Sequence, residues 1–204
     1  MKREAGYDLP GSRFAGAAVW PPFAPPKTEA GPFAKHLRLH QGTASMSKGE
    51  RISELVQGLG GIEAKAGSGA ITDHPYYRAF FRCWNEQRYY EAHDVLEQVW
   101  LKPTTTSVDA QYFKGLIQAA GAFVHLQKQF KHPTHPKHGR RLAPAVRLFR
   151  LAEKNLEPLG AERHAFDLAK FRQMLGRHAR VIVESEHKIN PWSPETAPRV
   201  SLLK

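Results

Sequence analysis

The stretch Tyr89-Tyr-Glu-Ala-His-Asp-Val-Leu-Glu-Gln-Val-Trp100, followed by Gly115-Leu-Ile-Gln-Ala-Ala120, decides the fold class. With successive residues placed about 100° apart on a helix, Tyr89, Ala92, Val95, Leu96, Val99 and Trp100 make one broad apolar face. His93 and Glu97 fall together at one edge of that face, and Glu91 falls near the other. Glu91, His93, Asp94 and Glu97 crowd one short helix, which marks either a buried polar network or a reactive site.

Working outward, the pattern stays helical on both sides. Asp73 is placed to cap a preceding helix with Pro75 in its first turn, and Tyr76, Phe80, Phe81, Cys83 and Trp84 recur at helical spacing up to about Asn85 to Arg88. Lys102-Pro103 and Thr104 to Thr106 end the Tyr89 helix, because proline biases the residue before it away from helix. Ser107 or Asp109 then caps a long helix reaching about Gln129, apolar over more than half its circumference and so central to the fold. Its remaining stripe is Gln111, Lys114, Gln118, Gly121, His125 and Lys128. A loop over 131–139 holds two prolines and three histidines. A further helix carries Leu142, Val146, Leu148, Phe149, Leu151 and Leu156, with Pro144 tolerable in its first turn. The last, from about Glu162 to Ser185, carries Phe166, Leu168, Phe171, Leu175, Ala179, Ile182 and Val183. No alternation is long enough to make a strand. The fold class is all-α, a compact bundle of about five helices over 73–186.

The flanking segments read differently. Residues 1–45 are rich in proline and glycine and show no sustained period, so they are expected to be a disordered N-terminal extension, or one added by a mis-called start, since Met46-Ser47-Lys48-Gly49-Glu50 reads like a natural beginning. Residues 46–72 hold a short helix (Ile52, Leu55, Val56, Leu59) and a glycine-rich linker without a dinucleotide fingerprint. The tail over 187–204, with Pro191, Pro194 and Pro198, cannot be helical and either docks in extended form or hangs free.

Composition bounds the function. Hydrophobic residues at 41% and charged residues at 24% describe a soluble globular chain, and no apolar run approaches the roughly 18 residues of a membrane span. The single cysteine, Cys83, excludes an internal disulfide and fits a reducing cytoplasm. The net charge of +11 is uneven: from Ala110 to Ala152 there is no Asp or Glu. Lys131, Lys137, Arg140 and Arg141 in that segment form a candidate anion-binding surface, for nucleic acid or another anionic partner, with His132, His135 and His138 between them; the alternative is a solvated loop.

For Glu91-x-His93-Asp94-x-x-Glu97 two readings stand. His93 and Glu97, four apart, can point at one spot, as a pair of metal ligands or as a base with its orienting carboxylate. Gln118 and His125, seven apart on the central helix, would complete a mixed nitrogen and oxygen site suited to zinc, manganese or iron. The other reading needs no cofactor: Glu91, His93, Asp94, Glu97, Gln118 and His125 form a satisfied inter-helix polar cluster. Cys83, between Phe81 and Trp84, is a core residue.

These residues resemble an uncharacterised family, the domain of unknown function 309. The resemblance lies in Phe81-x-x-Trp84-Asn85-x-x-x-Tyr89-Tyr90-Glu91-Ala92-His93-Asp94-Val95-Leu96-Glu97-x-x-Trp100, then Phe113-x-Gly115-Leu116-Ile117-Gln118-x-Ala120 and His125, and covers about Asp73 to Leu156. It implies a small helical bundle and no established activity. Asp94 stands where the family usually has Glu, and Gly139-Arg140-Arg141-Leu142 where it usually has Gly-Ala. The expectation is a cytoplasmic interaction or structural module with a basic surface, the alternative a metal-dependent or acid-base hydrolase-like enzyme.

Overall fold

The long helix of the computed structural model runs from Ser107 to Lys131, 25 residues and about 37 Å at 1.5 Å per residue. The structure describes residues 47–58, 70–101 and 106–203. The expectations for residues 1–45, the glycine linker and Lys102 to Thr105 lie outside them. The elements are α1 (Lys48–Gly58), α2 (Pro75–Asn85), α3 (Tyr89–Trp100), α4 (Ser107–Lys131), α5 (Leu142–Leu156), a two-strand hairpin of β1 (Glu162–Arg163) and β2 (Phe166–Asp167), and α6 (Leu168–Glu184). The fold is all-α, with five helices after residue 73 and α1 added before them.

Helix α4 is buried along most of its length, from Tyr112 to Leu126. Helix α3 packs against one side of it and α5 against another, with α2 against α3 and α6 against α5. Close approach to α5 depends on Gly115, where a Cβ would lie 2.6 Å from the Leu156 side chain. The start of α4 is set by Thr106, whose hydroxyl oxygen accepts the Asp109 backbone N–H at 3.1 Å. Neither Ser107 nor Asp109 is the cap, because both already lie within the first turn. Asp73 likewise does not cap α2: it sits in the one-turn 3-10 helix Ile71–Asp73, and His74 precedes Pro75 at the helix start.

Trp84 organises the aromatic core, with its ring centroid 4.9 Å from Phe123, 5.3 Å from Tyr89 and 5.4 Å from Phe171. It therefore ties α2, α3, α4 and α6 together. The C-terminal tail docks on this core. Trp192 is buried and its indole N–H donates to the Tyr89 hydroxyl at 3.1 Å, while the Trp84 indole donates to the Pro198 carbonyl at 2.9 Å. Asn85 holds Val200 as a strand neighbour would, donating to its carbonyl at 2.7 Å and accepting from its N–H at 2.8 Å.

One expectation fails at the last helix. Residues Glu162 to Asp167 are not helical but fold as the β1–β2 hairpin, pairing Arg163 with Phe166. The turn places His164 and Ala165 at φ of 49° and 53°, a left-handed conformation that costs a non-glycine residue about 1–2 kcal/mol. Helix α6 can begin only at Leu168 because Asp167 caps it, its carboxylate accepting the Lys170 N–H at 2.8 Å.

Candidate functional site

The six residues proposed as one inter-helix cluster do not come together. Helix α3 turns its His93–Glu97 edge toward α1, where Lys48 reaches both carboxylates: its Nζ lies 3.0 Å from Asp94 and 2.5 Å from Glu97. His93 Nδ1 donates to Asp94 Oδ1 at 3.1 Å, since a carboxylate only accepts. The Tyr90 ring stacks on the imidazole, its centroid 6.5 Å away and its plane 16° from parallel. Burial pushes the Asp94 carboxyl up, but the hydrogen bonds from His93 and Lys48 outweigh that and hold it below its ordinary value. Burial opposes the charge on Lys48, and the bonds to Glu97 and Asp94 raise its ammonium above the usual value.

The other members lie elsewhere. Glu91 faces solvent beside Arg88, 3.5 Å from its Nε. Gln118 is buried against α5, accepting from Asn155 Nδ2 at 2.7 Å. His125 is buried, with Arg141 NH1 donating to its Nδ1 at 2.9 Å. Burial, then the neighbouring Arg141, Lys128 and Arg147 charges, bring the His125 imidazole down to about 4. Gln118 and His125 share a stripe, as their spacing requires, but that stripe serves α5 while α3 packs on a different side of α4.

Among the described residues, His93, Asp94 and Glu97 are the group with metal-ligand character, each offering one ligand atom with all three atoms within 4.8 Å of one another. With Nδ1 donating to Asp94, the His93 lone pair sits on Nε2. The fit is incomplete in one respect: the Lys48 ammonium already lies on the two carboxylates, where a cation would bind. Lys48 belongs to a segment read only as a short helix, so its role was not visible in the α3 pattern.

A second network was missed altogether. Asp109 accepts from Arg163 NH2 at 2.6 Å and Nε at 3.2 Å, from His164 Nε2 at 2.7 Å and from the Thr106 hydroxyl at 2.9 Å. These bonds overcome a burial effect of opposite sign and bring its carboxyl down to about 2. Behind it the Tyr112 hydroxyl meets that of Tyr77 at 2.6 Å, and Tyr77 donates to the His164 carbonyl at 3.0 Å. The network fixes the strained hairpin to the start of α4. The one available signal was Thr106-x-x-Asp109, a capping-box spacing.

The basic segment is mostly exposed and carries hydrogen bonds of its own. Backbone N–H groups of Lys137 and His138 donate to His135 Nδ1 at 3.1 and 3.2 Å, and Arg141 Nε donates to His138 Nδ1 at 2.9 Å. Gly139 closes the loop, since a Cβ there would collide with the Pro133 carbonyl. Arg141 is buried and links the loop to His125. Lys131, Lys137 and Arg140 are exposed.

Together these features define a small helical bundle with a lysine–carboxylate–histidine clamp at the middle of α3 and a cationic, histidine-bearing loop after α4. The family model described as Domain of unknown function (DUF309) matches residues 77–133, so the resemblance to that family is shown over the segment from α2 to the start of the loop. The match takes in Glu91, His93, Asp94, Glu97, Gln118 and His125 and stops short of His135 to Arg141. No curated protein and no solved structure matches the chain significantly. Among the described residues no helix is long and apolar enough to cross a membrane.

Proposed function

We propose that the protein is a non-enzymatic interaction module of the cytoplasm, in which the Lys48, His93, Asp94 and Glu97 group clamps α1 to α3 and the basic end of α4 and α5 receives an anionic partner, nucleic acid among the candidates. The observation that carries this reading is the position of Lys48. A side-chain ammonium bonded to Asp94 and Glu97 neutralises the carboxylates from within the chain, so the group is complete without a cofactor. The cationic segment supports the second half, because its charge has no acidic residue from Ala110 to Ala152 to balance it.

A second reading keeps the same residues as a transition-metal or acid-base site of a hydrolase-like enzyme, with Lys48 displaced. The convergence of His93, Asp94 and Glu97 favours it. Metal analysis of protein purified without a histidine tag separates the two. The clamp reading expects no stoichiometric metal and a melting temperature indifferent to chelator; bound metal lost to chelator with a fall in melting temperature would sink it. For the basic surface, affinity for duplex DNA should fall steeply with added salt, and no binding at low salt would remove that half.

A further inference from the structure

Histidine tautomers in the loop after α4 are dictated by their neighbours. A guanidinium and a backbone N–H have only protons to give. Arg141 donates from Nε to His138 and from NH1 to His125, and the Lys137 and His138 backbones donate to His135, in every case at Nδ1. A neutral imidazole that accepts at Nδ1 carries its proton on Nε2. His135 and His138 therefore each hold an Nε2–H donor. Their rings lie side by side, centroids 4.4 Å apart, with His132 5.6 Å from His138.

That arrangement selects the kind of ligand. A metal ion needs the Nε2 lone pair, which this tautomer lacks; an oxyanion needs N–H donors and positive charge. The charge is present and unbalanced: among the described residues no carboxylate pairs with Lys131, Lys137, Arg140 or Arg141. Crowding shows in the titration of the neighbours, since burial and then the Arg141 and Lys137 charges bring the Lys128 ammonium below its usual value. The turn is closed by Gly139, whose N–H donates to the His135 carbonyl at 2.8 Å, and this closure places the donors before a ligand arrives.

We propose that the 132–141 loop is a binding site for a phosphate dianion, with the Nε2–H groups of His135 and His138 as fixed donors and Lys137 and Arg140 as flanking charges. The dianion is inorganic phosphate or the terminal phosphate of a polynucleotide. The proposal rests on the reading of this face as the partner surface and narrows it to one chemistry.

The test uses the full chain with nitrogen-15-labelled histidine. Imidazole spectra should show the Nε2–H tautomer for His135 and His138, and inorganic phosphate at low ionic strength should shift both saturably. His135→Asn keeps an acceptor where Nδ1 was and removes the Nε2–H; it should weaken phosphate about tenfold, and so should the exposed Arg140→Gln. If the source is a polynucleotide, a 5′-phosphorylated single strand should bind more tightly than the same strand without the phosphate, and lose that advantage in His135→Asn. An Nδ1–H tautomer, or a phosphate response untouched by both substitutions, overturns the site. Salt-sensitive DNA binding with no saturable phosphate response also overturns it and spares the broader basic surface, whereas loss of both responses removes both.

Discussion

Lys48 Nζ and Asp94 Oδ1 meet at 3.0 Å, joining the first turn of α1 to the middle of α3. Asp94 is 7% exposed, so it depends on this partner and on His93 for compensation. Lys48→Met removes the ammonium while keeping the stem. It should cost about 1–2 kcal/mol by leaving a buried carboxylate short of a donor, with the exposed lysine end lessening the loss. Thermal unfolding at neutral pH measures it. Because the folded Asp94 carboxyl titrates below its ordinary value, this stability is present above the unfolded carboxylate range and is lost as pH falls through the folded one. The Lys48→Met difference should therefore shrink in acid.

His93→Ala distinguishes a clamp from a reactive site. In the clamp, Asp94 loses its Nδ1–H donor and Tyr90 its stacking partner, a cost of about 1–3 kcal/mol. Denaturant midpoints of the variant and its parent supply the number. An unchanged midpoint would argue that His93 is held for chemistry and not for stability.

Asp109→Asn should loosen the β1–β2 hairpin more than any other part of the fold. It removes the charge from an acceptor used by Arg163, His164 and Thr106. The cost is about 1–2 kcal/mol once partial exposure is allowed for. With a folded value of about 2 against 3.8 for the free side chain, the Asp109 contribution is complete above about pH 4 and disappears as pH falls toward 2. Hydrogen exchange should show early opening of Arg163 to Asp167 in the variant, and equal protection in both proteins would contradict this.

At Ala165 the strain can be tested alone. Its φ of 53° suits glycine, and the two-residue turn between Arg163 and Phe166 is of the kind that favours glycine. Ala165→Gly should leave the melting temperature unchanged or raise stability by up to about 1 kcal/mol. A clear fall would mean that the turn is relaxed as it stands.

The helices could be read because burial imposes a period: the apolar positions of α3, α4 and α5 repeat as a buried face requires, and the structure buries Ala92, Val95, Leu96 and Val99 as that face demands. What a helical wheel cannot supply is which neighbour each edge meets. His93 and Glu97 were correctly placed on one edge, yet the partner at that edge is Lys48 from α1, and Gln118 and His125 face α5. Azimuth between helices is set by the packing of whole surfaces, including the close approach at Gly115, and no single helix encodes it. The hairpin escaped for a different reason. Arg163-His164-Ala165-Phe166 has none of the glycine or asparagine that usually signals such a turn, and its conformation is held by Asp109, distant in sequence.

His125 offers the clearest dependence on pH. Its imidazole, buried beside Arg141, titrates at about 4 in the folded chain against 6.5 for the free side chain. A group with a depressed folded value contributes stability that is fully present above the unfolded value and is lost as pH falls. Between pH 6.5 and 4 the unfolded chain takes up a proton that the folded chain refuses, so stability should fall by up to about 3 kcal/mol across that window. His178, half-buried and also lowered, steepens the same slope. His125→Asn preserves an acceptor for Arg141 but cannot titrate. Its stability should vary less with pH between 6.5 and 4 than that of the parent, even if it is lower at pH 7. Denaturant unfolding at intervals across the window tests this: parallel pH profiles would show that His125 takes up its proton alike in the folded and the unfolded chain, which would contradict the lowered folded value.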